Sequence, residues 1–295
     1  MASSQPDRIW TIEAVLAWAA DDFRSRGLDS PRLDAELLLA HALGATRVEL
    51  IVDSKRPLAA GELSRFRSLV KRRRAHEPIA YILGVREFFG RDFRVDKRVL
   101  VPRPDTETLI DVALLRTRPR SLAMRALDLC TGSGCVAISL ACERPTASFF
   151  ATDCSDDALA VARHNALRLG AYSVAFRAGD LYDAIDPTQR FDLVTANPPY
   201  IDPTEIEKLA PDVRDHEPRI ALDGGHEGLA ILERVIAEAP THLTQGGVLV
   251  VEVGAGQASS VRESFEHAGL SDVEVHRDYG RIERVVSGVL RSSAD

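Results

Sequence analysis

A buried strand that runs into a glycine turn and then an apolar helix constrains this chain more than any other feature. Arg125-Ala-Leu-Asp-Leu-Cys130 reads as a buried strand, Thr131-Gly-Ser-Gly134 as the turn, and the residues through Leu140 as an apolar helix. The pattern then repeats. Ser148–Thr152 is a strand, Asp156–Gly170 a helix, and Ser173–Ala178 and Phe191–Asn197 are strands. A helix over Leu229–Ala239, a strand over Gly246–Val253 and a helix over Ser260–Ala268 follow. Alternation of this kind implies an α/β fold, a mostly parallel sheet wound on both faces. Two late strands, near Val273–His276 and Val285–Leu290, have no helix between them, so an antiparallel edge strand is expected.

The segment before residue 79 reads differently, as a small helical domain over residues 1–78. Thr11 caps a helix with Ile12, Val15, Leu16 and Phe23 on one face. Ser30-Pro31 starts a second helix, which Gly44 ends. Thr46-Arg-Val-Glu49 fits a capping box for a short third. The fourth runs from about Leu58 to Ala75 and ends in Lys71-Arg-Arg-Arg74. Two readings of that run compete: cations complementing a helix C-terminus, or a docking surface for an acidic partner. Residues 79–101 read as a linker whose core is a hairpin, Arg86–Phe89 and Asp92–Asp96 flanking Gly90-Arg91. Pro102-Arg103-Pro104 turns the chain into the domain over 102–295, where Asp105 and Glu107 open a helix.

Charge divides along the same line. Residues 1–101 carry 18 Lys+Arg against 14 Asp+Glu, and the rest of the chain 19 against 30. An acidic half disfavours a long nucleic-acid footprint, and no stable nucleic-acid binding is expected. No apolar run reaches the length of a membrane span, and Met1–Asp7 lacks the apolar core of a signal peptide. The cysteines at 130, 135, 142 and 154 lack metal-ligand spacing and read as reduced thiols of a cytoplasmic protein; no metal is expected.

Two stretches carry chemistry. Gly132-x-Gly134-x-x-Ala137 satisfies a nucleotide-binding fingerprint, and Asp153 ends the next strand at the spacing suited to ribose hydroxyls. This fits a Rossmann-like fold and suits nicotinamide nucleotides and S-adenosylmethionine alike. Asn197-Pro-Pro-Tyr200 closes the strand over 191–197. Proline cannot continue the ladder, and Pro198 holds Asn197 extended at the strand's carboxyl end, where ligands of such sheets bind. Asn197 offers an amide oxygen, Pro198 and Pro199 offer carbonyls, and Tyr200 a flat ring. Those groups suit a planar NH2 conjugated to a carbonyl or a ring.

Asp128–Gly134, Asp153, Gly179-Asp180 and Asn197–Tyr200 resemble the successive motifs of class I S-adenosylmethionine methyltransferases. Val99-Leu-Val-Pro-Arg-Pro-Asp-Thr-Glu107, Glu217-Pro-Arg-Ile-Ala-Leu222 and Glu77–Gly84 narrow the likeness to the release factor glutamine methyltransferases, over roughly residues 10 to 290. Three positions depart from that family: Cys130 for its first loop glycine, Asp105 for Glu, and Ala80 for Gln. The resemblance implies S-adenosylmethionine as cofactor and S-adenosylhomocysteine as product. It assigns the cofactor to Cys130, Thr131, Gly132, Ser133, Gly134, Asp153, Asp180, Leu181 and Asn197. It places the glutamine of a release factor's Gly-Gly-Gln motif against Asn197, Pro198, Pro199 and Tyr200, with Asn197, Pro198 and Tyr200 acting in catalysis. The Asn197 oxygen and Pro198 carbonyl would accept the two amide N–H bonds while Tyr200 packs on the amide plane. It also gives the helical domain a part in recognising the release factor, and a monomer is expected. An amino methyltransferase of adenine or guanine would present the same NH2 to the same corner. An oxidoreductase would need the glycine loop but not Asn-Pro-Pro-Tyr.

Overall fold

The computed structural model describes residues 10–117 and 124–291, which divide into two compact units at Gly84/Val85. The first is helical: α1 (Ile12–Ser25), α2 (Pro31–Leu43), α3 (Arg47–Val52), α4 (Ala60–Arg74) and α5 (Ile79–Leu83). Thr11 caps α1 by accepting from the Ala14 N–H, and Thr46 and Glu49 form the reciprocal capping box of α3. Ser30 precedes α2 as expected but makes no side-chain cap, and Gly44 ends the helix in the left-handed conformation. Ile12, Val15, Leu16 and Phe23 pack with Leu38, Leu39, Phe66 and Val70 in one core. Fully burying each such side chain contributes about 1.5–3 kcal/mol.

The basic run at the end of α4 is largely taken up inside this unit. The Arg73 guanidinium pairs with Asp34 at 2.7 Å, both side chains at most 7% exposed. Arg74 holds both oxygens of Asp22 and lies over the Trp18 ring, 5.3 Å from its centroid. Arg72 pairs with Glu77 and donates to the Tyr81 carbonyl. Three of the four cations thus hold the unit together, which favours the structural reading of the run over a docking surface.

The second unit begins with the hairpin, β1 (Val85–Phe88) and β2 (Arg91–Arg94), turned through Phe89 and Gly90, both at positive φ. It includes that hairpin and does not leave it between the units. A short 3-10 turn (Pro104–Thr106) leads into α6 (Glu107–Arg116). The winding proceeds through β3 (Arg125–Leu129), α7 (Cys135–Glu143), β4 (Ser148–Asp153), α8 (Asp156–Leu169), β5 (Val174–Ala178) and β6 (Phe191–Ala196). Two single-turn helices, α9 (Pro203–Ile206) and α10 (Pro211–Arg214), fill the polar stretch before α11 (Ala230–His242). β7 (Leu243–Glu252), α12 (Ala258–His267), β8 (Leu270–Arg277) and β9 (Glu283–Leu290) complete it.

The sheet order is β5-β4-β3-β6-β7-β9-β8. β5 through β7 are parallel, β9 is antiparallel to β7, and β8 forms the edge antiparallel to β9. Alternate residues of β3 face opposite layers: Ala126 packs with Leu109, Ile110 and Val136, while Leu127 and Leu129 pack with Leu232, Val235 and Phe265. The order reverses between β3 and β6, which opens a crevice at their carboxyl ends.

Candidate active site

A cavity of about 690 Å³ occupies that crevice. Its floor is the loop between β3 and α7. Cys130 stands at φ 55° and Gly132 at φ 54°, so the backbone turns tightly and directs the Gly132 N–H to the Asp153 carboxylate at 2.8 Å. The other Asp153 oxygen accepts from the Ser155 N–H at 2.9 Å. Burial raises the Asp153 pKa, and these two N–H groups oppose the rise. Gly134 does not line the cavity. A Cβ there would lie 2.7 Å from Ile138 Cδ1 and 3.1 Å from Ala162 Cβ, so its part is to let α7 start against α8.

Asp128, 2% exposed at the end of β3, accepts from the hydroxyls of Thr131 (2.7 Å) and Thr195 (2.8 Å). Burial pushes its carboxyl up to about 7 against the pull of those hydroxyls. Asn165 of α8 is wholly buried. Its oxygen accepts from the Arg94 N–H at 2.8 Å, and its nitrogen donates to the carbonyls of Arg94 (3.0 Å) and Ser133 (2.9 Å). One satisfied amide therefore ties the hairpin to the glycine loop.

The opposite wall is the corner after β6. Asn197 lines the cavity and donates from Nδ2 to the Thr106 hydroxyl at 3.2 Å, which leaves its oxygen as an acceptor. Pro199 also lines the cavity, whereas Pro198 is buried. The Tyr200 hydroxyl donates to Glu252 at 3.2 Å, and Tyr200 is not among the lining residues. The corner is clamped from behind. Gln257 donates to the Tyr200 carbonyl at 3.0 Å, and a Cβ at Gly228 would fall 2.2 Å from that oxygen. Gly228 can only be glycine.

The remaining expected residues gather here as well. Thr131, Ser133, Asp180 and Leu181 line the cavity with Cys130, Gly132 and Asp153. Asp180 pairs with Arg234 at 2.7 Å, and the Leu181 carbonyl accepts from Thr152 at 2.9 Å. Arg103 lines the cavity while Asp105 faces Arg284 at 3.4 Å. The structure joins the two flanking motifs: Arg103 pairs at 2.7 Å with Glu217, whose side chain is 1% exposed, and Pro218–Ala221 complete the wall. Thr106, Asn165 and Glu252 were missed by sequence reasoning. An acid closing the apolar run Val248–Val251 was a usable signal for Glu252. Among the described residues no cluster of His, Cys, Asp or Glu is placed to hold a metal, and no helix is long and apolar enough to cross a membrane.

Comparison with solved structures defines the fold. The catalytic domain of hMettl16, in complex with the MAT2A 3'UTR hairpin 6, superposes with a TM-score of 0.59 at 15% identity, over 74% of this chain and 83% of that one. A methyltransferase from Pyrococcus furiosus gives 0.51 at 18%, over 70% and 91%. The second unit therefore has a methyltransferase fold, and residues 105–212 match the methyltransferase small domain. Residues 14–84 match the PrmC N-terminal domain. The release factor glutamine methyltransferase of Geobacter sulfurreducens is 43% identical over 285 residues, 97% of this chain and 99% of the relative. That of Salmonella typhimurium is 41% identical over 263 residues, 89% and 94%. This chain belongs to the release factor glutamine methyltransferase family.

Proposed function

We propose that this protein transfers a methyl group from S-adenosylmethionine to the side-chain amide nitrogen of the glutamine in the Gly-Gly-Gln motif of class I release factors. One observation carries the reading. Asn197 gives its Nδ2 to Thr106 and so keeps its oxygen as an acceptor, in a cavity whose floor is the Asp153-bound glycine loop.

The residues present fit the cofactor. The cavity has the size of a small-molecule site, and Asp153 is a half-enclosed acid beside a tight backbone turn. Asp153 would accept from ribose hydroxyls, the backbone of Cys130–Ser133 would lie along the cofactor, and Asp180 and Leu181 would border it. When bound, S-adenosylmethionine supplies an electrophilic methyl group.

The protein's own contribution is to the amide. A glutamine nitrogen is a poor nucleophile because its lone pair is delocalised into the carbonyl. The Asn197 oxygen and the Pro198 carbonyl would accept its two N–H bonds, orient it, and stabilise the positive charge that grows on nitrogen as the new N–C bond forms. The methylated nitrogen then releases one proton to water. Tyr200 supports the corner from behind through Glu252. The helical unit recognises the release factor, and the enzyme acts as a cytoplasmic monomer.

The test is the mass of the Gly-Gly-Gln tryptic peptide of a class I release factor after incubation with this protein and S-adenosylmethionine. A gain of one methyl group on the glutamine is expected. Methyl incorporation into adenine or guanine of nucleic acid, with the peptide unchanged, would replace this reading; the acidic balance of residues 102–295 weighs against that outcome.

A further inference from the structure

Behind Asn197 lies a buried carboxyl group with no part in the chemistry described so far. Glu252, the last residue of β7, is 1% exposed. Its Oε1 accepts from the Tyr200 hydroxyl at 3.2 Å, and its enclosed Oε2 makes no hydrogen bond among the described residues. The Thr106 hydroxyl lies near enough to this carboxyl to pull its pKa down, and the unpartnered Oε2 is open to a donor. Thr106, 2% exposed, accepts at 3.2 Å from Asn197 Nδ2.

A hydroxyl has one hydrogen to give. Because Thr106 accepts from Asn197, its hydrogen is free for the carboxyl beside it. The direction matters because a side-chain amide has two unlike ends. With its NH2 on Thr106, Asn197 presents an oxygen to the cavity. Were the Thr106 hydrogen turned toward Asn197, the amide would turn over and present NH2 to a guest that is itself an NH2.

We propose that Glu252 is a positioning residue that fixes the direction of this hydrogen-bond chain: by accepting from Thr106 it keeps the Asn197 oxygen toward the cavity. The inference rests on the function proposed above, since only a donor guest needs that direction. The ionised carboxylate is acceptor-only, whereas a protonated one can donate to Thr106 and permit the reversal. Burial pushes Glu252 up to about 7, with Asp105 adding to the rise; Thr106, Tyr200 and Arg284 of β9 oppose it. The Cys135 thiol at the start of α7 also lies within range of its charge. Arg284 is itself shared with Asp105 and Asp278, each at 3.4 Å. Methyl transfer should therefore rise with pH through about 7. Asp128 titrates in the same range, so variants must separate the two.

The experiment is single-turnover methylation of a release factor at saturating cofactor, on both sides of neutral pH, with cofactor affinity measured by calorimetry. Glu252→Gln, whose NH2 can donate to Thr106, should slow transfer by roughly ten- to a hundredfold, leave cofactor affinity unchanged, and flatten the rise near neutrality. Thr106→Val should lose as much, and Thr106→Ser, which keeps the hydroxyl, should recover most of it. The Glu252→Gln/Thr106→Val double variant should fall no further than either single one. Glu252→Gln at the parent rate, or a double variant losing the product of the two single losses, overturns the inference. If Glu252→Gln does not fold, the contrast between Thr106→Val and Thr106→Ser decides. A parent that fails to methylate release factor at all fails the proposed function instead.

Discussion

The glycine loop between β3 and α7 and the corner after β6 line one cavity, but they hold it by different means. In the loop the working groups are backbone. Cys130, Gly132 and Gly134 take positive φ, and the Gly132 N–H reaches Asp153. In the corner they are side chains in sequence, Asn197 on Thr106 and Tyr200 on Glu252. A backbone device tolerates a change of side chain where the conformation survives, and Cys130, a residue with a side chain, stands at φ 55° within it. A side-chain device depends on which atoms donate and which accept.

The widest gap between the two walls should appear at Asn197→Ala. Removing one electrostatic group that acts mainly in the transition state commonly costs on the order of a hundred- to thousandfold in kcat. Single-turnover transfer is expected to fall by that order with cofactor affinity little changed; a near-parent rate would leave the corner no more than a well-made loop. The pH dependence of stability tests the floor beneath the loop. Asp128 has its carboxyl raised from 3.8 to about 7, so the folded state keeps a proton that the unfolded chain gives up. Stability should then fall as pH rises between those values and level off above, by on the order of a few kcal/mol. Asp128→Asn, neutral in both states, should make that part of the thermal-denaturation profile shallower, leaving the share of Glu252, which is raised to about 7 as well.

Asp153→Ala removes a side chain that the loop backbone holds toward the cavity. It should weaken S-adenosylmethionine by roughly 1.5–3 kcal/mol in a calorimetric titration, the worth of a charge-assisted hydrogen bond. Unchanged affinity would detach Asp153 from the ribose. Gly134→Ala adds a Cβ within 2.7 Å of Ile138 at φ 80°, and overpacking of that kind costs about 1–3 kcal/mol in denaturant unfolding. Cys130→Gly should have the smallest effect. It relieves a left-handed residue but frees the unfolded chain, and the two terms, each about 1 kcal/mol, largely cancel. A large loss of stability or of cofactor binding there would show that the thiol, and not the backbone, is what the loop needs.

Much of this architecture was legible because its signals are local. The apolar run Arg125–Cys130, the turn Thr131–Gly134 and the capping box at Thr46 and Glu49 each report on residues within a few positions of one another. The corner was legible because proline acts on its own neighbour. What escaped is long-range. Thr106 meets Asn197 across 91 positions, Arg103 meets Glu217 across 114, and Asn165 reaches Arg94 across 71. No periodicity encodes such partners. The basic run illustrates this best: its composition allowed two readings, and only the distant acids Asp34 and Asp22 distinguish them. Tyr200 was placed by its ring, but its hydroxyl found a buried acid that the sequence presents merely as the end of a strand.

The chain from Glu252 through Thr106 to Asn197 also bears on how this protein can drift over generations. On the direction proposed above, losing the carboxylate at 252, the hydroxyl at 106 or the amide at 197 would break what the other two maintain, so a tolerated loss at one position needs an answering change at another. Across diverging descendants, residues 106, 197 and 252 are therefore expected to be inherited as a set, although no two of them are neighbours in the chain.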